Sequence, residues 1–135
     1  MAYSVKHGKL IAVHKEMTFA YDVASNAWSR VADNPSGGLD CQSVFAHDSN
    51  AGVFLLLGKK GGQWSKEPWK LAAYEAGGDK WETMEIQGDQ IPQDVPDRWD
   101  GGQAFTGYYD AGQNVFVLYC ARSAQTWVYR HAKRK

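Results

Sequence analysis

One stretch of the sequence decides the fold: residues 46–57 read AHDSNAGVFLLL, which is a short strand, a polar turn with a glycine, and a continuous apolar run. The same arrangement recurs at residues 2–13, AYSVKHGKLIAV, and at residues 108–119, YYDAGQNVFVLY. Turn residues that separate two short apolar segments are typical of β-hairpins. Because the pattern occurs three times, we expect a repeat architecture built from one supersecondary unit.

A second module follows the first two copies. It reads FAYDVASNAW at residues 19–28 and AAYEAGGDKW at residues 72–81, so a Tyr precedes a Trp by seven residues in each. A third copy begins at residues 126–130, TWVYR, and the sequence contains no Trp after it. Each unit is therefore predicted to be strand, turn, strand, loop, strand, turn, strand, and the last unit lacks its fourth strand.

The second strand of each unit is apolar throughout, which predicts a strand that is covered on both faces. Stacked sheets of a β-propeller cover their central strands in this way. The 14 Gly suit a chain with many tight turns, and no helical spacing is sustained. We therefore predict an all-β fold with a single domain over residues 1–135, whose three units span about 2–31, 43–87 and 104–131.

The Tyr–Trp spacing resembles that of the kelch repeat, and Gly58, followed by Gly61 and Gly62, is similar to the glycines that close the second strand of a kelch blade. The Tyr-Asp, turn, Val-Phe-Val-Leu pattern is similar to bacterial kelch-like propellers of the galactose-oxidase central-domain kind. The resemblance implies a partial β-propeller of about three four-stranded antiparallel blades, with the last blade incomplete. The first and third units depart from it, because residues 13–15 and 120–122 lack the expected glycines. We expect those strand ends to turn differently.

Kelch rings usually need about six or seven blades, so the resemblance implies that about half a ring is present. An incomplete ring exposes flat apolar faces and open strand edges, which soluble proteins rarely leave uncovered. Three outcomes are open: two copies join as one ring, the chain is part of a longer propeller, or it folds as an open stack with capped ends. The dimer is favoured, and its N-terminal residues are candidates to complete the last blade of the other copy.

The loops that join the blades are the candidate binding surface, because propellers bind ligands where such loops converge. Asp40, Arg98, Trp99 and Asp100 would form a polar pocket with an aromatic floor, which suits a sugar or a peptide. The alternative is structural and is favoured: both Asp side chains accept backbone N–H bonds in tight loops, and Arg98 pairs locally.

Tryptophans outside these loops divide into two classes. Trp64 is a candidate to stack on a carbohydrate ring or to anchor a protein partner. Trp69 precedes an apolar strand and is expected in the core. Trp28 and Trp81 recur with the repeat, so we expect them to be packing residues.

The sequence contains no catalytic motif, and no catalytic residue, metal site or cofactor is predicted. The four His and two Cys lack metal-ligand spacing, and a formal net charge of zero does not favour nucleic acid. No membrane span or secretory segment is evident, and the compartment stays open. We expect a non-catalytic module that self-assembles and binds a protein or glycan partner through its inter-blade loops. The alternative is a part of a propeller enzyme that acts on extracellular carbohydrate.

Overall fold

A computed structural model describes residues 1–34, 43–59, 67–89, 105–121 and 123–131. These residues form three antiparallel sheets of four, four and three strands, in which neighbours in sequence are neighbours in the sheet. The first sheet holds β1 Ala2–Ser4, β2 Lys9–His14, β3 Met17–Asp22 and β4 Ala27–Asp33; the second holds β5 Val44–Asp48, β6 Val53–Lys59, β7 Trp69–Glu75 and β8 Lys80–Met84; the third holds β9 Phe105–Asp110, β10 Val115–Cys120 and β11 Gln125–Tyr129. The all-β, partial propeller-like fold is confirmed, and the last unit forms a sheet of three strands in the described part of the chain.

Five hairpins share one turn geometry. Each connects its strands by four residues, and the fourth residue has a positive φ: Gly8, Asn26, Gly52, Asp79 and Asn114. Glycine and asparagine adopt this left-handed conformation at the lowest cost, which explains why the sequence repeats them there.

The first strands of the second and third sheets, β5 and β9, each end in an aspartate that accepts hydrogen bonds from the following turn. Asp48 accepts hydrogen bonds from the backbone N–H groups of Asn50 and Ala51, at 2.9 and 2.8 Å. Asp110 accepts the equivalent bonds from Gly112 and Gln113, at 2.9 and 3.0 Å. These repeated aspartates therefore serve the turns.

Apart from residue 122, the strand ends that depart from the glycine pattern lie among the described residues. Residues 60–66, which follow β6, do not, so the expected difference between these turns stays a prediction. β2 is followed by a two-residue turn in which Lys15 has a φ of 52°. Ala124, the residue before β11, has a φ of 53°, and the residues at the same place in the five hairpins also have a positive φ. An alanine in this region is strained by its Cβ, whereas the glycines of the other turns are not.

The second sheet is the centre of the stack. Phe54 and Tyr74 pack against Ile11 of the first sheet, while Leu55 and Leu57 lie in the cluster that includes Phe116 and Leu118 of the third sheet. All of these second-sheet side chains are fully buried. Each contributes about 1.5–3 kcal/mol relative to an exposed position. The prediction of a second strand covered on both faces is therefore confirmed for β6.

The outer sheets differ, because no described residue packs on their far faces. Ile11 is the one fully buried residue of β2, and Tyr119 of β10 is exposed. The apolar runs of β2 and β10 are consequently half covered.

β5 and β9, the first strands of the second and third sheets, approach each other closely at Gly107. A Cβ atom at Gly107 would lie 2.5 Å from the carbonyl oxygen of Val117 and 2.9 Å from a methyl carbon of Val44. Glycine is required at this position because a Cβ would meet the backbone of the neighbouring strand β10 in its own sheet, and Val44 of the second sheet as well.

Candidate functional site

The predicted pocket residues Asp40, Trp64, Arg98, Trp99 and Asp100 all lie outside the described residues. The pocket and the stacking role of Trp64 therefore stay predictions. Gly61 and Gly62 of the kelch-like pattern also lie outside the described part of the chain.

Trp69, by contrast, is buried between the second and third sheets. Its ring lies 4.7 Å from that of Phe105 in an edge-on arrangement. The prediction that Trp69 belongs to the core is confirmed.

The interface between the first and second sheets is built around Trp81. Its indole N–H donates a hydrogen bond of 2.8 Å to Oγ1 of Thr18 in the first sheet. Thr18 is fully buried. The Trp81 ring also lies 5.2 Å from that of Tyr74, the residue paired with it across β7 and β8. The side of each sheet that carries the equivalent tyrosine, Tyr21, Tyr74 or Tyr129, is called its leading face. The opposite side is called its trailing face.

Tyr74 is held in place by its own turn. Its hydroxyl donates to a carboxylate oxygen of Asp79 at 2.7 Å, and burial, followed by Asp79, raises the pKa of Tyr74. The phenol therefore stays protonated and acts as a hydrogen-bond donor. Tyr109 donates to Asn114 at 2.6 Å in the same way, and burial together with Asp48 raises the pKa of Tyr109 to about 12.

The leading face of the first sheet repeats the same pattern without a neighbour. Trp28 lies 5.2 Å from Tyr21, and Tyr21 donates to Asn26. Trp28 is 53% exposed, as is Val23, whose counterpart in the second sheet is the buried Ala76. The prediction that Trp28 is a packing residue is wrong for the isolated chain, because no sheet formed by the described residues covers it.

The trailing face of the third sheet is also uncovered. Tyr108 and Val128 are 58% and 61% exposed, and Tyr119 is exposed as well. Val117 pairs with both Tyr108 and Val128, so the three side chains lie side by side across the sheet. This arrangement is an apolar band on the solvent side of the third sheet.

Exposed apolar side chains are concentrated on these two faces. The described residues with a large exposed apolar side chain are Met1, Tyr3, Val5, Val23, Trp28, Tyr108, Tyr119 and Val128. Val5 lies off these faces. It is the first residue of the turn between β1 and β2, and the equivalent turn residue of the second unit, Ser49, is also exposed to solvent. Contiguous apolar surface of this kind marks an interaction site.

A third uncovered feature is the edge of β11. Its other edge pairs with β10, and in the described part of the chain no strand pairs with this one. A cleft of about 240 Å³ borders the edge and is lined by Leu57, Ile86, Trp127 and Tyr129 among others. In the first two sheets the fourth strand pairs with the third at the matching edge.

A second cleft, of about 490 Å³, has a mixed charge. It is lined by Lys6, His7, Glu75, Lys80 and His131, together with backbone of the β5–β6 turn. Opposite charges on its walls compensate one another and favour no single class of ion. Within the described residues, no group of three or more His, Cys, Asp or Glu side chains is placed to hold a metal.

His47 is a titratable group on β5 whose pKa is changed by its surroundings. Burial lowers its pKa, Asp48 opposes that shift, and His7 adds to it. Its ring packs 4.7 Å from that of Phe54, and its Nε2 atom has no hydrogen-bond partner among the described residues. The imidazole is therefore neutral at pH 7 and contributes packing.

Comparison with known proteins gives no further assignment. No family model matches the chain, and no curated protein is significantly similar to it. Among the described residues no helix is long and apolar enough to cross a membrane.

Proposed function

We propose that this chain is a non-catalytic, propeller-like module that joins a second copy of itself and binds a protein or glycan partner through its inter-blade loops. The observation that supports assembly is the uncovered Tyr–Trp pair of the first sheet. The same pair in the second sheet packs on a neighbouring sheet, whereas Trp28 is exposed.

The energetics favour assembly if both end faces are used. Burying a large apolar side chain contributes about 1.5–3 kcal/mol, and Trp28, Tyr108, Tyr119 and Val128 are available in each copy. Association of two proteins costs about 4–15 kcal/mol in lost freedom. Two copies that close a ring form two interfaces in one association event, so the gain is doubled while this cost arises once.

The N-terminal residues, which are candidates to complete the third sheet of another copy, form β1. Ala2, Tyr3 and Ser4 already pair with Ile11, Leu10 and Lys9 of their own sheet. In the single chain β1 is already paired, so the proposed assembly does not use its residues to complete the third sheet of the second copy.

The binding role of the loops is tested with a glycan array and a peptide display library, each probed with the wild-type chain. Trp64→Ala and Arg98→Ala are expected to lose the selected ligand while the melting temperature is unchanged. Trp69→Ala is the control that should lower stability, because Trp69 is buried. Retained binding together with a lower melting temperature for Arg98→Ala would mark Arg98 as structural and contradict the loop site.

A further inference from the structure

We infer that the leading face of one copy packs on the trailing face of a second copy in the register that the second sheet uses on the first, so that Trp28 donates a hydrogen bond to Thr126 of the second copy. This inference rests on the self-assembly proposed above. It adds the pair of faces, their register and the residue that each face contributes.

The register follows from strand pairing inside the chain. Tyr21 pairs with Leu10, Tyr74 with Phe54, and Tyr129 with Phe116. These three pairs are equivalent, since each joins the third strand of a sheet to the start of its second strand.

The acceptor of the tryptophan lies three residues before this tyrosine. In the first sheet that residue is Thr18, which accepts from Trp81 of the following sheet. In the third sheet it is Thr126, which is exposed on the trailing face. The third sheet thus presents a hydroxyl at the position where the first sheet receives an indole.

The second sheet provides the internal control. Its equivalent residue is Leu71, which is buried against the third sheet. The third sheet has no fourth strand among the described residues, so no equivalent tryptophan reaches Leu71. At this position the chain has a threonine, Thr18, in the sheet that contacts a tryptophan of the next sheet, and a leucine, Leu71, in the sheet that contacts none. The third sheet has a threonine, Thr126, at the same position, which indicates that a tryptophan of another sheet packs there and donates to its hydroxyl.

The side chains around this contact are also compatible in size. In the internal interface, Ala20 and Ile11 of the trailing face lie in one cluster with Phe54 of the leading face. The equivalent trailing residues of the third sheet are Val128 and Val117, and the equivalent leading residue of the first sheet is Leu10. In the inferred contact Val128 replaces the smaller Ala20, and Leu10 replaces the larger Phe54. The total side-chain volume is therefore nearly the same in the two contacts, and changes that conserve volume are tolerated best in packed interiors.

A leading face on a trailing face is a head-to-tail contact, which either closes or continues into a filament. We infer closure at two copies, because three sheets from each give the number of blades of a small propeller. The two contacts of the closed pair are then identical.

The test uses one charged variant on each face and a matched control. Trp28→Glu and Val128→Glu are each expected to raise the dissociation constant of the pair about a hundredfold or more, because each buries an unpaired charge in both contacts. Val5→Glu changes an equally apolar and more exposed residue, 83% accessible, that lies off both faces, and should leave the dissociation constant unchanged. Circular dichroism checks that each variant keeps its β-structure.

Mixing the two charged variants is the decisive step. A mixed pair has one contact with both substitutions and one contact with none, so the mixture should associate more tightly than either variant alone. Thr126→Val and Trp28→Phe are milder variants for the hydrogen bond: Thr126→Val is expected to weaken association at least about tenfold, Trp28→Phe more because it also removes packing volume, and the two combined little more than Trp28→Phe alone.

The outcomes separate this inference from the proposed function. A wild-type chain that stays monomeric at every concentration overturns self-assembly and the inference together. A wild-type pair that tolerates Trp28→Glu or Val128→Glu overturns the inference and leaves self-assembly standing. The inference is also overturned if mixing gives no recovery, since two like faces would then be in contact.

Discussion

Replacing Thr18 by Val tests the contact from which the subunit interface is inferred. The substitution keeps the shape of the side chain and removes the hydroxyl that accepts the Trp81 indole N–H at 2.8 Å. Thr18 is fully buried, so the new methyl group fills the same space and leaves no cavity. The change in stability therefore reports the hydrogen bond itself.

The expected cost follows from the burial of the two groups. An unsatisfied buried donor costs about 1–3 kcal/mol. Trp81 is partly exposed, and water reaches part of its ring, so the lower half of that range applies, about 1–2 kcal/mol. Trp81→Phe should cost more, about 2–3 kcal/mol, because it also removes packing volume.

A double-mutant cycle measured by urea unfolding at one fixed protein concentration separates these contributions. Thr18→Val in the Trp81→Phe background is expected to cost about 1 kcal/mol less than in the wild type, because its partner is already absent. Fixed concentration is needed since association stabilises the folded chain. Additive costs, or a cost below about 0.5 kcal/mol for Thr18→Val, would refute the interface hydrogen bond.

Three further substitutions test other parts of the fold. Gly107→Ala should destabilise by about 2 kcal/mol or more, because its Cβ meets the backbone oxygen of Val117 at 2.5 Å and a methyl carbon of Val44 at 2.9 Å, and a wild-type urea midpoint would contradict this close packing around Gly107. Ala124→Gly should stabilise the fold by about 0.5–1 kcal/mol, because glycine removes the strain of a positive φ of 53°, and this gain is larger than the cost of the added freedom of the unfolded chain. A loss of stability would refute that strain. The lowered pKa of His47 means that the unfolded chain binds more protons just below pH 6.5, so stability should fall as the pH drops through that window. His47→Gln should flatten this dependence and the exposed His14→Gln should not; equal slopes would contradict it.

The sheets could be predicted from the sequence because they depend on local patterns. Turn glycines, capping aspartates such as Asp48, and the apolar run of β6 specify hairpins through contacts within a few residues. The same patterns located the third strand of the last unit at residues 126–130, and the structure places β11 there at Gln125–Tyr129.

The environment of each face could not be read from the repeat alone. Trp28 and Trp81 occupy the same position in the repeat and lie at the same distance from their tyrosine, yet one is exposed and the other lies in an interface. The difference comes from which sheet lies next in the stack, which no local pattern encodes. The donor–acceptor pairing of Trp81 with Thr18, 63 residues away in sequence, was missed for the same reason. The alignment of Thr18 with Thr126 was the available signal.

The molar mass of the purified chain, measured by light scattering over a dilution series, tests the central claim most directly. The account predicts a stable species of twice 15.1 kDa at high concentration, which dissociates to 15.1 kDa on dilution without larger assemblies. A folded chain that remains at 15.1 kDa at every concentration would contradict it, and a mass that keeps growing with concentration would contradict the closure of the pair.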